Sequence, residues 1–118
     1  METYQQKKRA ARYHLADLGP RASHHPVTLT VVKQIRNDLE IVGSSYNVQK
    51  NDGKKWVTIG HEILLTEGFL RRNSLCAIKQ AIGHELAHVK TGRTCHDARF
   101  AREAAMLGAG DKTGKYIE

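Results

Sequence analysis

Cysteine is scarce in this chain, with only Cys76 and Cys95 among 118 residues. Two cysteines are too few for a disulfide framework or a four-cysteine zinc ribbon, so both are expected to be free thiols in a reducing compartment. We expect Cys76 to be a buried packing residue. Cys95 is expected to be a small turn residue, although its thiolate could also bind a metal because it precedes His96.

Long apolar runs, internal repeats and low-complexity tracts are also missing from the sequence. No segment approaches the roughly 20 apolar residues that a membrane span requires. The N-terminus is polar and basic, which is not typical of a signal peptide. We therefore expect a cytoplasmic protein whose residues 1–118 form one domain, long enough to enclose a single hydrophobic core.

Acidic residues are outnumbered, with 12 Asp and Glu against 19 Lys and Arg and a net charge of +7. The excess is spread along the chain, and one basic cluster stands out: Lys7, Lys8, Arg9 and Arg12. It lies in a predicted N-terminal helix over residues 1–20, which Gly19 and Pro20 should end. Such a cluster is most often the solvated face of a helix, and contacts with DNA phosphates are the sharper alternative.

The most informative segment is the HExxH motif of residues 84–88. Residues four apart lie on one face of a helix, so His84 and His88 can bind one zinc ion while Glu85 acts beside it as a general base. The pattern predicts metal-assisted hydrolysis. The simpler interpretation is a pair of solvated surface histidines that bind no metal.

The spacing around this motif predicts a helix over residues 73–91, which begins at Asn73 or Ser74 and ends at Gly92. Its apolar residues recur at intervals of three and four and predict a buried stripe: Leu75, Ile78, Ile82, Leu86 and Val89. The two histidines and Glu85 fall to one side of the stripe, where they could line a cleft.

Catalytic zinc usually has three protein ligands and one water, so a third ligand is expected. His96 is the nearest later histidine, and a turn at Gly92 would return it to the metal at the start of a helix over residues 96–108. Phe100 and Leu107 should lie on the inner side of that helix.

Two carboxylates are alternative third ligands. Asp97 is adjacent to His96, and Glu103 lies one helical turn beyond Phe100. Each is otherwise expected to be a solvated helix residue or an ion-pair partner. A fourth protein ligand, from Cys95, Asp97 or Glu103, would make the zinc structural and leave the protein a binding module.

Before the motif helix, residues 42–66 predict a β-hairpin, because apolar residues alternate on both sides of Asp52-Gly53. The 56–65 arm is expected to be an exposed strand beside the metal, where an extended peptide could pair with it. For residues 28–39 we predict a helix, and the β-branched run 27–32 allows a strand as the alternative.

The HExxH motif, the short loop containing Gly92, His96, Phe100 and the pair Leu107-Gly108 together resemble the SprT-like (Spartan-like) zinc metalloproteases. The resemblance covers residues 42–110. It implies an α+β fold with a zincin-like minimal metalloprotease core, in which helices pack on a small antiparallel sheet and the motif lies on a central helix.

The resemblance further implies that zinc is held by His84, His88 and His96 and that Glu85 is the catalytic base. The implied substrates are proteins, including proteins associated with DNA, which would give the molecule a DNA-associated or nucleoid location. The sequence departs from the family at Asp97, where Gly is usual, and it has no four-cysteine ribbon.

Hydrolysis also requires a donor that stabilises the oxyanion of the reaction intermediate. An additional donor for the oxyanion is expected among Tyr116, Arg93 and His61. A nucleic-acid-binding protein whose histidine pair is incidental is a further alternative function.

Overall fold

The computed structural model describes residues 2–38, 40–92 and 96–109. Their elements follow in this order: α1 Tyr4–Ala22, β1 Val27–Val32, β2 Gly43–Asn51, β3 Trp56–Thr66, α2 Glu67–Arg72, α3 Leu75–Thr91, α4 Ala98–Ala104 and a π-helical turn Ala105–Ala109. The fold class is therefore α+β, as the sequence predicted. None of the helices in these ranges combines the length and the apolar character needed to cross a membrane.

Helix α1 continues through Gly19 and Pro20 to Ala22, so the prediction that this pair ends the helix was wrong. A proline in the last turn removes only one helical hydrogen bond, the one to the carbonyl of Ala16. Pro20 and Ala16 are both exposed, and Ala22 is buried. Continuing the helix therefore adds a residue to the core at the cost of one bond on its solvent side.

The segment after α1 forms strand β1, so the helix predicted for residues 28–39 was wrong and its alternative was right. The β-branched side chains of this run favour an extended backbone. A tight turn follows, in which the N–H of Asp38 donates to the carbonyl of Ile35 at 3.0 Å. The two residues at its centre, Arg36 and Asn37, have φ values of 53° and 55°.

The three strands form a sheet in the order β1-β3-β2. The predicted hairpin is present: β2 pairs antiparallel with β3, from Gly43 opposite Leu65 to Asn51 opposite Trp56. Strand β1 pairs with the other edge of β3 in parallel. The sheet is therefore mixed and not wholly antiparallel, β3 is its middle strand, and β2 is an edge strand.

Helix α3 is capped at its N-terminus by Ser74, whose hydroxyl accepts from the N–H of Ala77 at 3.2 Å. The helix ends at Gly92, which has the left-handed conformation. It packs against α1, α4, the π-helical turn and β2. Of its predicted stripe, Ile78, Ile82 and Leu86 are buried, and Leu75 and Val89 are partly buried against the core. The largest fully buried side chains of the core are Phe100, Ile63, Leu65, Leu70, Ile78, Ile82 and Leu86. This packing fixes the face of α3 that carries the motif.

Candidate metal centre

The side chains of His84, His88 and His96 converge at one point of the structure. His84 and His88 are four residues apart on α3, and His96 precedes α4. Nε2 of His88 lies 3.3 Å from Nε2 of His84 and 3.2 Å from Nε2 of His96. The three residues form a group that could hold a metal ion.

These distances fit a tetrahedral zinc site. Bonds of about 2.05 Å at tetrahedral angles separate two ligand nitrogens by about 3.3 Å. The His84–His88 and His88–His96 nitrogen pairs match that separation, at 3.3 Å and 3.2 Å. Three imidazoles that approach one another in this way can each direct a lone pair toward a shared cation.

Phe100 forms the inner wall of this centre. Its buried ring lies against all three imidazoles, with centroid distances of 5.1 Å to His84, 4.4 Å to His88 and 4.7 Å to His96. Asp97 caps the helix that carries Phe100, because its Oδ1 accepts from the N–H of Phe100 at 2.9 Å. This packing restricts the rotamers of the three histidines.

The two carboxylates considered as alternative ligands have other contacts. Asp97 is the cap of α4, and Oε2 of Glu103 lies 2.8 Å from Nζ of Lys90 in an ion pair between α4 and α3. The metal-capable group found among residues 2–38, 40–92 and 96–109 contains histidines alone. His96 as the third ligand stays a prediction, and Cys95 lies outside the described residues.

Glu85 lies beside the histidines and is 7% exposed. Burial raises the pKa of its carboxyl to about 7, against an ordinary value of 4.5, and a hydrogen bond with the Ser45 side chain acts in the opposite direction. A Cβ added to Gly43 would lie 3.3 Å from Oε2 of Glu85. The close approach of strand β2 thus encloses the carboxyl, which suits a group that exchanges protons near neutral pH.

The imidazole of His84 is kept neutral. Burial, followed by the charges of His88 and His96, lowers the pKa of His84 from 6.5 to about 4. A neutral imidazole has the lone pair that a metal requires. At neutral pH His84 is therefore in the form that binds a metal.

A cleft of about 400 Å³ opens onto the three histidines and Glu85. Its other wall is strand β2, from Gly43 to Asn47, and Arg36 also lines it. The prediction that the 56–65 arm is the exposed strand beside the metal was wrong. Strand β1 covers that edge of β3, so β2 is the edge strand that faces the histidines.

Arg36 is a cleft residue that sequence reasoning missed. Its positive φ and that of Asn37 belong to the turn between residues 35 and 38. Most residues other than Gly, Asn and Asp avoid this conformation, so nothing in the local sequence indicated that Arg36 would adopt it. The position of the turn beside β2 brings Arg36 to the cleft.

The structure describes one of the three residues proposed as oxyanion donors, and it also describes Cys76. His61 is 8% exposed and does not line the cleft; its ring bonds to Asn47, which does, at 2.9 Å and to Ser23 at 3.0 Å. Arg93 and Tyr116 lie outside the described residues. Cys76 is exposed and not buried, because it lies in the first turn of α3, outside the apolar stripe.

We compared the chain with models of known protein families, with curated proteins and with solved structures, and none of them matched it.

Proposed function

We propose that this protein is a zinc-dependent metallopeptidase that hydrolyses peptide bonds of protein substrates. His84, His88 and His96 would hold the zinc, and Glu85 would be the general base. The observation that carries the proposal is the pair of Nε2 distances, 3.3 Å and 3.2 Å, beside a buried carboxyl on the same helix. This combination supports a hydrolytic site, because it places three imidazole ligands beside a proton acceptor.

When bound, zinc would polarise the scissile carbonyl and lower the pKa of water at the site. Glu85 would take the proton of the attacking water and then give it to the departing amine. In the metal-free protein the buried Glu85 carboxyl has a pKa of about 7, so it can both accept and release a proton near neutral pH. Phe100 would keep the histidines in position during the reaction.

The edge of β2 would bind the substrate backbone. This strand pairs with β3 on one side, and its residues 43–47 line the cleft opposite the histidines. An extended peptide can add to such an edge by main-chain hydrogen bonds. The scissile bond would then lie between β2 and Glu85.

We also propose that the chain is a minimal SprT-like protease with a zincin-like core. The support comes from residues of this chain: the motif on α3, His96 before a second helix, and the packing of Phe100 on the three imidazoles. The sheet differs from the antiparallel one that the resemblance implies, because β1 pairs with β3 in parallel.

The proposal is tested by measuring zinc content and hydrolysis of an unfolded protein such as casein. Glu85→Gln should keep the zinc and lose hydrolysis, and His88→Ala should lose both. Glu103→Gln is the matched control, since it removes a carboxylate near the site whose contact is with Lys90. Unchanged hydrolysis in Glu85→Gln would contradict the proposal.

The alternative of a non-catalytic zinc module requires a fourth protein ligand. The cleft of about 400 Å³ beside the histidines favours an open coordination position over a closed one. X-ray absorption of the zinc-loaded protein distinguishes the two functions. Three imidazoles and one water support the peptidase, and four protein ligands support the module.

DNA is a second proposed partner, and the structure adds residues to its candidate surface. Nζ of Lys7 donates to the carbonyl of Arg71 at 3.1 Å, and Arg71 and Lys8 lie 3.9 Å and 5.2 Å from the Tyr4 ring centroid. Cations from α1 and α2 thus meet at one surface, although Arg71 is also paired with Glu67. Arg9 lies apart, in a cavity with Lys79.

The DNA proposal predicts salt-sensitive binding of duplex DNA. Each phosphate contact that is removed should reduce the slope of log affinity against log salt by about 1. Lys8→Gln should therefore lower both affinity and slope, and Lys54→Gln on the exposed hairpin turn is the matched control. Equal slopes in the two variants would exclude this surface.

A further inference from the structure

A second cavity adjoins the cleft at Glu85. Its volume is about 400 Å³, within the range of small-ligand sites. His84, Glu85 and Gly43 line both spaces, so the cavity opens beside the groups proposed to cleave the substrate.

The remaining walls of this cavity are mostly apolar. They consist of Ile41, Val42, Phe69, Ala77, Gln80 and Ala81. Phe69 and Ala81 also pack against the hydrophobic core, which anchors the walls, and neither is fully buried itself. Of these six residues Gln80 is the polar one, and the described lining contains neither Lys nor Arg.

The lining has a simple origin in the sequence of α3. Ala77, Ala81 and Glu85 are successive residues at intervals of four, so they share one face of the helix. Two alanines on that face leave space where larger side chains would fill it. The space is bounded on the other side by residues 41–43, where the chain enters β2.

We propose that this cavity is a specificity subsite that takes an apolar side chain, of the size of leucine or phenylalanine, from the substrate residue next to the scissile bond. The inference rests on the proposed function. A peptide paired with β2 beyond Gly43 passes the mouth of the cavity when its scissile bond lies at Glu85. Transfer of a leucine-sized side chain from water into such a lining favours binding by about 10- to 100-fold.

The test compares two peptide hydroxamates that differ only in one side chain, isobutyl in one and methyl in the other. A hydroxamate chelates zinc in both cases, so the ratio of the two dissociation constants measures the cavity and does not require hydrolysis. We expect the zinc-loaded protein to prefer the isobutyl compound by about 10- to 100-fold.

Ala81→Leu should fill the cavity and reduce this ratio to about threefold or less. Ala77→Leu, one helical turn earlier, is the second variant in case the first folds poorly. Ala16→Leu, at an exposed position of α1, is the matched control and should keep the full ratio. Equal affinities for the two compounds, or an unchanged ratio in both cavity variants, would overturn the inference.

A metal-free measurement separates this inference from the proposed function. N-acetyl-leucinamide should shift the amide resonances of Ala77 and Ala81 in the metal-free protein more than N-acetyl-alaninamide does. If the protein shows this difference and cleaves nothing, the subsite inference stands and the proposed peptidase function is wrong. If the protein cleaves peptides but shows no such difference and binds the two hydroxamates equally, the subsite inference is wrong and the peptidase function stands.

Discussion

Gly83 lies directly against the backbone of Leu107. A Cβ built at Gly83 would be 2.5 Å from the carbonyl oxygen of Leu107 and 3.1 Å from the N–H nitrogen of Ala109. Gly83 immediately precedes His84, and the π-helical turn of Leu107 continues the helix that carries Phe100. The contact therefore sets the separation of the two helices between which the histidines meet.

Gly83→Ala should destabilise the protein by about 1–3 kcal/mol, because the added methyl group meets backbone atoms that cannot move independently. The matched control is Gly68→Ala in α2, where an added Cβ would first meet the end of the flexible Arg72 side chain, at 3.2 Å. Gly68→Ala should leave stability unchanged or raise it by up to about 1 kcal/mol. Urea unfolding of the metal-free proteins measures both, and equal stability of the two variants would contradict the close approach.

Glu103→Gln should leave zinc affinity unchanged. Its carboxylate pairs with Lys90 at 2.8 Å in the structure, and the loss of this partly exposed ion pair should lower stability by less than about 1 kcal/mol. Competition with a fluorescent zinc chelator provides the measurement. A large loss of affinity would identify Glu103 as a ligand and contradict the three-histidine centre.

Glu85→Gln should stabilise the metal-free protein at alkaline pH. The pKa of Glu85 is about 7 in the fold against an ordinary 4.5, so its contribution to stability is fully present below pH 4.5 and is lost as pH rises through 7. At pH 8 the loss amounts to about 3 kcal/mol, which glutamine avoids. Urea unfolding from pH 4 to pH 8 should show a gap between the two proteins that opens with pH, and a constant gap would contradict the burial of the charge.

The sequence predicted the parts of this site that depend on local periodicity and capping. Helix α3 follows from its apolar stripe and its ends at Ser74 and Gly92, and the separation of eight residues between His88 and His96 allows the two side chains to meet. These features depend on residues close together in the chain, so a pattern can reveal them.

The rest depends on pairing between distant segments. Strand β2 is the edge strand beside the cleft because β1 pairs with the other edge of β3, from Val27 opposite His61 onward. No local sequence pattern determines this pairing. The contact of Gly83 with Leu107 and the arrival of Arg36 in the cleft likewise arise from packing. The helix predicted for residues 28–39 failed because tertiary pairing favoured the extended form of a β-branched run.

The zinc content of His96→Ala, compared with that of the unaltered protein and of His61→Ala, tests the central claim most directly. His61 is a matched histidine that does not line the cleft itself and bonds to Asn47 and Ser23. The account predicts about one zinc ion per chain in the unaltered protein and in His61→Ala, and its loss in His96→Ala. A full zinc content in His96→Ala, or none in the unaltered protein, would contradict it.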